Sequence, residues 1–244
     1  MVRQSNNPLS AAAIGWDLRS AWTATFGSVA LAFPAATFAV FALGTDRSTT
    51  ADVLSVVYGL GLFLGCSAAL WPLPSLRDWS WAQRVRAVSL AFMILSYITH
   101  LSWELTWVVL HQSIAQSRDA AWAYPWWAYI DGGDLRYLNP TGEFLMIEVL
   151  SVTNGTIGAA GLFLLFRSGF RDLRGVLLCM ATAVVHLYST SWYFGGEILS
   201  GLANVNTASF IDTWVKFGLV NAPWLVFPWF VLAWGTNQLL SDDN

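Results

Sequence analysis

Charged side chains are scarce in this chain of 244 residues, because Asp, Glu, Lys and Arg together make up only 11%. A soluble globular domain usually carries about 25%. The net charge is −3, lysine occurs once, and no basic stripe is present, which excludes a nucleic-acid-binding surface. Cys66 and Cys179 lie in apolar stretches, which excludes a disulfide framework and a cysteine-based metal site.

Apolar sequence is abundant instead: 56% of the residues are hydrophobic and the mean hydropathy is +0.52. Six apolar stretches can each cross a hydrocarbon core of about 30 Å, which takes roughly 20 helical residues. They lie near 22–44, 52–72, 86–111, 142–166, 174–196 and 211–235. We therefore predict an all-α integral membrane protein, with about six transmembrane helices in a single domain over residues 1–244.

Arginine placement predicts the orientation of this bundle. The N-terminal side carries Arg3, Arg19, Arg77, Arg84, Arg86, Arg167, Arg171 and Arg174, and the opposite side carries Arg47, Arg118 and Arg136. Because cytoplasmic loops are enriched in positive charge, we expect both termini inside. We also expect no removable targeting peptide at the N-terminus. The expected location is a multi-pass membrane position, in the endoplasmic reticulum of a eukaryote or the plasma membrane of a bacterium.

The longest connection between spans, residues 112–141 on the outer side, is rich in tryptophan and tyrosine. It is either an anchor in the membrane interface, which these side chains favour, or a lid over a cavity, since loops of this length are often functional. Asp134 and Arg136 can pair and hold this segment. Gly61 and Gly65 form a small-residue face that serves either internal packing or a homodimer.

Ionisable side chains inside the predicted spans are the strongest functional signal, because each costs about 3 kcal/mol or more to place there. His100 and Glu104 are four residues apart and share one helix face. Successive spans run in opposite directions, so Glu104 and Glu148 both fall in the outer half of the bundle. Further candidates near this layer are Trp103, Trp107, Ser151, Tyr188, Trp192, Asn221 and Trp224.

Other polar groups have simpler interpretations. We interpret His186 as a hydrogen-bonding group between helices, and Glu143 and Glu197 as side chains close to the water interface. The His100 and Glu104 pair lacks a third ligand, so no metal site is predicted. Nucleotide-binding and nucleophile motifs are missing as well, so the predicted chemistry is cofactor-independent acid–base chemistry.

Four spaced motifs between Trp71 and Leu240 resemble the emopamil-binding protein family, the sterol Δ8–Δ7 isomerases of the EXPERA membrane domain. They are His100-Leu-Ser-Trp-Glu104; Gly133-Asp-Leu-Arg-Tyr137 followed by Glu148; Tyr188 with Tyr193, Phe194 and Glu197; and Asn221-Ala-Pro-Trp224 with Pro228. The resemblance implies a five-helix core, with the first span as an extra N-terminal helix. The motifs lie in the core at residues 86–235, which follows an N-terminal helix pair at 22–72 in the sequence.

The resemblance also implies roles for individual residues. His100, Glu104 and Glu148 occupy the family's acid–base positions, and Asn221 and Trp224 occupy its substrate-cation positions. It further implies a sterol-like substrate and inhibition by cationic amphiphilic amines.

The chain departs from the family pattern at several points. Ser151 stands where the family usually has threonine. Gly155-Thr-Ile157 replaces the family's Trp-Gly-Pro, which alters the cavity wall. The string Trp103-Glu104-Leu105 is also similar to the acid-bearing motif of small membrane terpene cyclases.

These observations predict an isomerase that shifts a double bond in a sterol-like or terpenoid lipid. Glu104 or Glu148 donates a proton, because burial favours the neutral form of a carboxyl group. Trp224 and Trp192 stabilise the cation, and His100 or the other glutamate removes a proton. A membrane terpene cyclase and a non-catalytic sterol-binding, lipid-binding or chaperone protein remain alternatives, and membrane lipids are expected partners in each case.

Overall fold

The computed structural model describes residues 14–241, and every regular element in that range is helical. The α helices are α1 Trp16–Leu43, α2 Arg47–Ser67, α3 Trp81–Thr99, α4 Leu105–Gln116, α5 Tyr124–Ile130, α6 Gly142–Arg167, α7 Leu173–Leu199, α8 Pro223–Val226 and α9 Pro228–Ser241. Two π-helical segments, His100–Glu104 and Ile211–Leu219, join α3 to α4 and precede α8. Arg3, which entered the orientation argument, lies outside the described residues.

Five helical stretches within this range are long and apolar enough to cross a membrane. They are Trp16–Leu43, Arg47–Leu70, Trp81–Gln116, Gly142–Arg167 and Leu173–Leu199. The pair Ile211–Leu219 and Pro223–Ser241 passes the same test together, although it is bent by 43°. The prediction of an all-helical chain is therefore confirmed, and these helices are compatible with a multi-pass membrane protein. The exact number of spans and the inside location of the termini stay predictions.

Polar caps define where the apolar helices begin. Asp46 and Thr141 accept hydrogen bonds from backbone N–H groups in the first turns of α2 and α6. Ser80 and Gln83 form a reciprocal capping box at the start of α3. α1 ends at Gly44, whose φ of 68° is a left-handed conformation that glycine adopts readily. The connections between spans are thus encoded locally.

Contacts between connections show how the helices alternate in direction. At one end of the bundle, the backbone N–H of Ser75 donates to Asp17 at the start of α1, over 3.0 Å. At the other end, Arg47 Nη1 lies 4.0 Å from Asp119 Oδ1, which joins the start of α2 to the segment after α4. We call this second end the α1–α2 turn end, because it contains the connection between those helices.

The two glycines of the second span pack inside the bundle. A Cβ atom at Gly65 would lie 2.3 Å from the Phe26 ring, and one at Gly61 would lie 2.6 Å from Val29. Both contacts are with α1, so this small-residue face is occupied by the chain's own first helix. The homodimer prediction consequently loses its only support in the sequence.

Two predicted spans have different limits in the structure. The third span was predicted at 86–111 but is helical over Trp81–Gln116, with a π turn inside it. The span predicted at 211–235 is interrupted before Pro223, because proline lacks a backbone N–H and its ring crowds the preceding turn. The 112–141 connection starts only after Gln116 and contains helix α5.

Candidate functional site

A cavity lies in the half of the bundle nearer the α1–α2 turn end. It holds about 900 Å³ of space between atoms, a volume that includes the solvent at its open side. Seven of the ten predicted site residues line it: His100, Trp103, Glu104, Glu148, Ser151, Asn221 and Trp224. Neighbouring helices thus bring these seven side chains to one cavity.

The 112–141 segment forms part of the cavity wall. Pro125, Ala128 and Tyr129 from helix α5 line the cavity, together with Tyr137. These four residues are apolar or aromatic, and they line the cavity beside residues of the long helices. Of the two interpretations of this segment, the lid over a cavity is therefore the one that agrees with its position.

His100 and Glu104 form a close pair on the cavity wall. His100 Nδ1 lies 2.5 Å from Glu104 Oε2. The pair sits on the π-helical turn His100–Glu104, a widened turn that often occurs at functional sites. A glycine on α6 makes room for it, because a Cβ atom at Gly155 would lie 2.6 Å from His100 Cβ. α6 and the π turn thus approach each other closely at this point.

His186 of α7 joins this pair and was not predicted as a site residue. Its Nε2 lies 2.8 Å from His100 Nε2, and the two ring centroids are 5.1 Å apart. Ser96 Oγ lies 3.0 Å and 3.2 Å from the same two nitrogens and accepts the indole N–H of Trp224 over 2.7 Å. The interpretation of His186 as a hydrogen-bonding group is confirmed, but its position on the cavity wall was missed.

Glu148 has a different environment from Glu104. Its Oε1 accepts a hydrogen bond from the Tyr137 hydroxyl over 2.7 Å. Its Oε2 is buried and has no hydrogen-bond partner within residues 14–241, and the same holds for the indole nitrogen of Trp103. Burial raises the pKa of Tyr137 well above its usual value, so this phenol donates as a neutral group. Two unpartnered polar atoms therefore belong to side chains that line one cavity.

A second network connects the cavity to the buried acid Asp134. The Asn221 amide donates to the Tyr129 hydroxyl over 2.9 Å, and the Tyr129 and Tyr193 hydroxyls are 2.7 Å apart. Tyr193 donates to Asp134 Oδ2 over 2.6 Å, and Arg136 Nη2 donates to the same oxygen over 2.6 Å. The predicted pairing of Asp134 with Arg136 is confirmed, and it holds the 112–141 segment against α7.

Glu197 lies near the end of α7, as predicted, but it is buried in this second network, so its expected exposure to water was wrong. The residue is only 1% exposed. Its Oε2 lies 3.4 Å from Arg136 Nε, and its carboxylate accepts two hydrogen bonds from Asn204. Burial alone would lower the pKa of Arg136, but the hydrogen bond and charge of Asp134 outweigh it and raise that pKa. The guanidinium therefore stays charged between two buried acids.

Three predicted site residues do not line the cavity. Tyr188 and Trp192 are 63% and 56% exposed and pack against each other on the outer surface of α7. Their expected place in the polar layer was wrong, because α7 turns its His186 face inward and this pair faces away. Trp107 is fully buried and does not reach the cavity. It contacts a cavity-lining residue instead, because its indole N–H donates to the backbone carbonyl of Tyr137 over 3.2 Å.

A buried lysine lies beside the site and was also missed. Lys216 Nζ lies 2.6 Å from Asp212 Oδ1 and 2.9 Å from Asp52 Oδ1. It also donates to the backbone carbonyl of Asp131 over 3.2 Å. These bonds tie the last span to α2 and to the 112–141 segment. The four-residue spacing of Asp212 and Lys216 is a signal in the sequence that could have revealed the pair.

Comparisons with known proteins add no assignment. No known protein family matches the chain, and no curated protein sequence matches it either. Within the part of the chain that the structure describes, His, Cys, Asp and Glu side chains do not form a group of three that could hold a metal ion. The resemblance to the sterol isomerases therefore stays a prediction that depends on the quoted motifs.

Proposed function

We propose that this protein is an intramembrane isomerase that moves a carbon–carbon double bond in a sterol-like or terpenoid lipid. One observation carries the proposal: two glutamates with different partners line the same aromatic cavity. Glu104 is paired with His100, whereas Glu148 keeps one oxygen without a hydrogen-bond partner among the described residues. Two carboxyl groups in unlike surroundings are suited to act as an acid and a base.

Glu148 is the proton donor in this proposal. A buried carboxyl group without a paired cation favours its neutral form, and the Tyr137 hydroxyl occupies Oε1, so the acidic hydrogen lies on Oε2. Glu104 is the proton acceptor, because its contact with the His100 ring stabilises a carboxylate.

The reaction balances without a redox partner. The alkene π electrons form a C–H bond with the proton of Glu148, and a carbocation remains on the neighbouring carbon. Glu104 then takes a proton from a carbon next to the cation, and the electrons of that C–H bond form the new double bond. One proton has moved from Glu148 to Glu104, and it must return before the next turnover.

Aromatic rings around the cavity support a cationic intermediate. Trp103, Tyr129 and Trp224 line the same cavity as the two acids, and a cation over such a ring gains about 2 kcal/mol or more when water is excluded. Trp192 was expected to contribute, but it lies on the outer surface. Trp103 takes that place in the proposal.

The test compares three glutamate variants in purified protein incubated with candidate sterols. Glu104→Gln and Glu148→Gln should each lower turnover about 10²- to 10⁴-fold, while Glu143→Gln should leave it unchanged. Glu143 is a matched control because it is an exposed residue of the same helix as Glu148. Near-full activity of both site variants would refute the acid–base mechanism. Tight binding of cationic amines without turnover by the wild type would indicate a lipid-binding protein instead.

A terpene cyclase is the second candidate, and the aromatic cluster around Trp103 favours it. The Trp103 ring lies 5.4 Å from the Tyr137 ring and 5.9 Å from the Tyr129 ring, centroid to centroid. Such a cluster can stabilise positive charge at successive positions of a folding prenyl chain. A product with additional rings from a prenylated substrate, formed by wild type but not by Glu148→Gln, would identify this activity.

A further inference from the structure

We propose that His186 is a positioning residue that fixes the tautomer of His100 and thereby keeps Glu104 available as a proton acceptor. The role in turnover depends on the function proposed above, whereas the tautomer assignment depends on hydrogen bonding alone. Glu104, His100 and His186 form a three-part chain of polar contacts.

With both imidazole rings neutral, the geometry permits two arrangements of hydrogens in this chain. His100 Nε2 and His186 Nε2 are 2.8 Å apart, so one of these nitrogens carries a hydrogen and the other accepts it. If His100 donates there, its Nδ1 is bare, and Glu104 must be protonated to make the 2.5 Å contact. If His186 donates, His100 carries its hydrogen on Nδ1 and donates it to a carboxylate.

The other nitrogen of His186 decides between the two arrangements. His186 Nδ1 is buried and lacks a hydrogen-bond partner in the described part of the chain. A buried N–H group without a partner is rare in proteins, whereas an unused acceptor is more readily tolerated. The neutral ring therefore carries its hydrogen on Nε2, facing His100. It follows that His100 carries its hydrogen on Nδ1 and that Glu104 is the ionised partner.

Ser96 is compatible with this assignment. Its oxygen accepts the indole N–H of Trp224, and its own hydrogen is free to point at the bare Nε2 of His100, 3.0 Å away. Two donors thus converge on this nitrogen from α3 and α7. The last span supplies Trp224 and fixes Ser96 in place.

The consequence concerns catalysis and not only packing. A hydrogen bond to the remote nitrogen of a histidine determines which nitrogen faces the reacting groups. With His186 as the donor, His100 offers an N–H to Glu104 and stabilises its carboxylate. If residue 186 offered an acceptor in place of this donor, His100 would carry its hydrogen on Nε2. Glu104 would then keep a proton and could not act as the base.

Nitrogen NMR on histidine-labelled, full-length protein in lipid nanodiscs tests the assignment directly, in a His111→Gln background that removes the third histidine. The wild-type network should show protonated Nδ1 and bare Nε2 for His100, with the reverse for His186. The opposite pattern would overturn the proposal. This result does not require turnover, so it is independent of whether the isomerase proposal is correct.

Variants then connect the tautomer to turnover. His186→Gln retains an N–H donor near the same point and should keep activity within about threefold. Ser96→Ala combined with His186→Met removes both donors and leaves the methionine sulfur as a weak acceptor near His100 Nε2. This double variant should lower turnover about 10- to 100-fold and move the His100 hydrogen to Nε2. Ser96→Ala alone measures the contribution of the serine, so the difference between the two variants isolates the contribution of residue 186. A double variant that keeps wild-type turnover or an unchanged His100 spectrum would contradict the role of His186.

Discussion

The largely buried arginine beside the cavity, Arg136, gives a specific prediction about stability. Arg136 is 14% exposed and contacts two buried acids, Asp134 and Glu197. Arg136→Met removes the cation and keeps most of the side-chain volume. Both carboxylates would then remain in the interior without their paired charge.

The expected cost follows from that burial. Breaking a buried ion pair by removing one partner typically costs about 3–5 kcal/mol, because the other charge is left uncompensated. For a domain of this size, 1 kcal/mol corresponds to roughly 2–4 °C in Tm. Arg136→Met should therefore lower Tm by roughly 6–20 °C.

The chain contains a matched control for this variant. Asp172 and Arg174 form the same Asp-x-Arg arrangement as Asp134 and Arg136, with an Oδ2 to Nη2 distance of 2.8 Å, but Arg174 is 79% exposed. Exposed ion pairs contribute little because water screens them. Arg174→Met should leave Tm unchanged within error.

Cys66 and Cys179 provide the assay. Both are free and buried, so a thiol-reactive fluorescent dye reports their exposure as the protein unfolds. A Tm for Arg136→Met within about 2 °C of wild type, or an equal loss for both arginine variants, would refute the argument that the burial of the charges sets the cost.

Two further predictions concern packing and charge near the cavity. Gly155→Ala places a methyl group against His100 and should lower turnover more than tenfold. Gly195→Ala has open space around the added Cβ and should leave turnover unchanged. Equal effects of the two variants in a lipid turnover assay would contradict the claim that α6 must approach His100 closely. Lys216→Met leaves Asp212 buried without its 2.6 Å partner and should lower Tm. The double variant Lys216→Met/Asp212→Asn should recover part of that loss in Tm. A single variant that melted like wild type in the dye assay would contradict this prediction.

Much of the architecture follows from apolar length and polar caps. The span predicted at 142–166 matches α6 closely, because Thr141 begins the helix and the apolar run continues to Arg167. The break before Pro223 was not predicted. A span with two prolines can bend at either one, and only packing against neighbouring helices selects the position.

The sequence predicted site residues well where their depth along a span determines whether they reach the cavity. It failed where the rotation of the helix about its axis determines this. Glu104 and Glu148 face one cavity because both depth and facing agree. Tyr188 has the right depth, yet α7 presents His186 to the cavity and turns Tyr188 outward. A sequence gives the depth of a residue by counting, but the rotation of a uniformly apolar helix depends on contacts that counting does not reveal.

Deuterium incorporation tests the central claim most directly. When the wild type converts a lipid alkene in deuterated water, the product should carry one deuterium at the carbon protonated by Glu148, with no change in ring number. The Glu148→Gln variant should form no labelled product, and Glu143→Gln should label like wild type. Product without deuterium, or labelled product from Glu148→Gln at the wild-type rate, would contradict proton donation by Glu148 to the double bond.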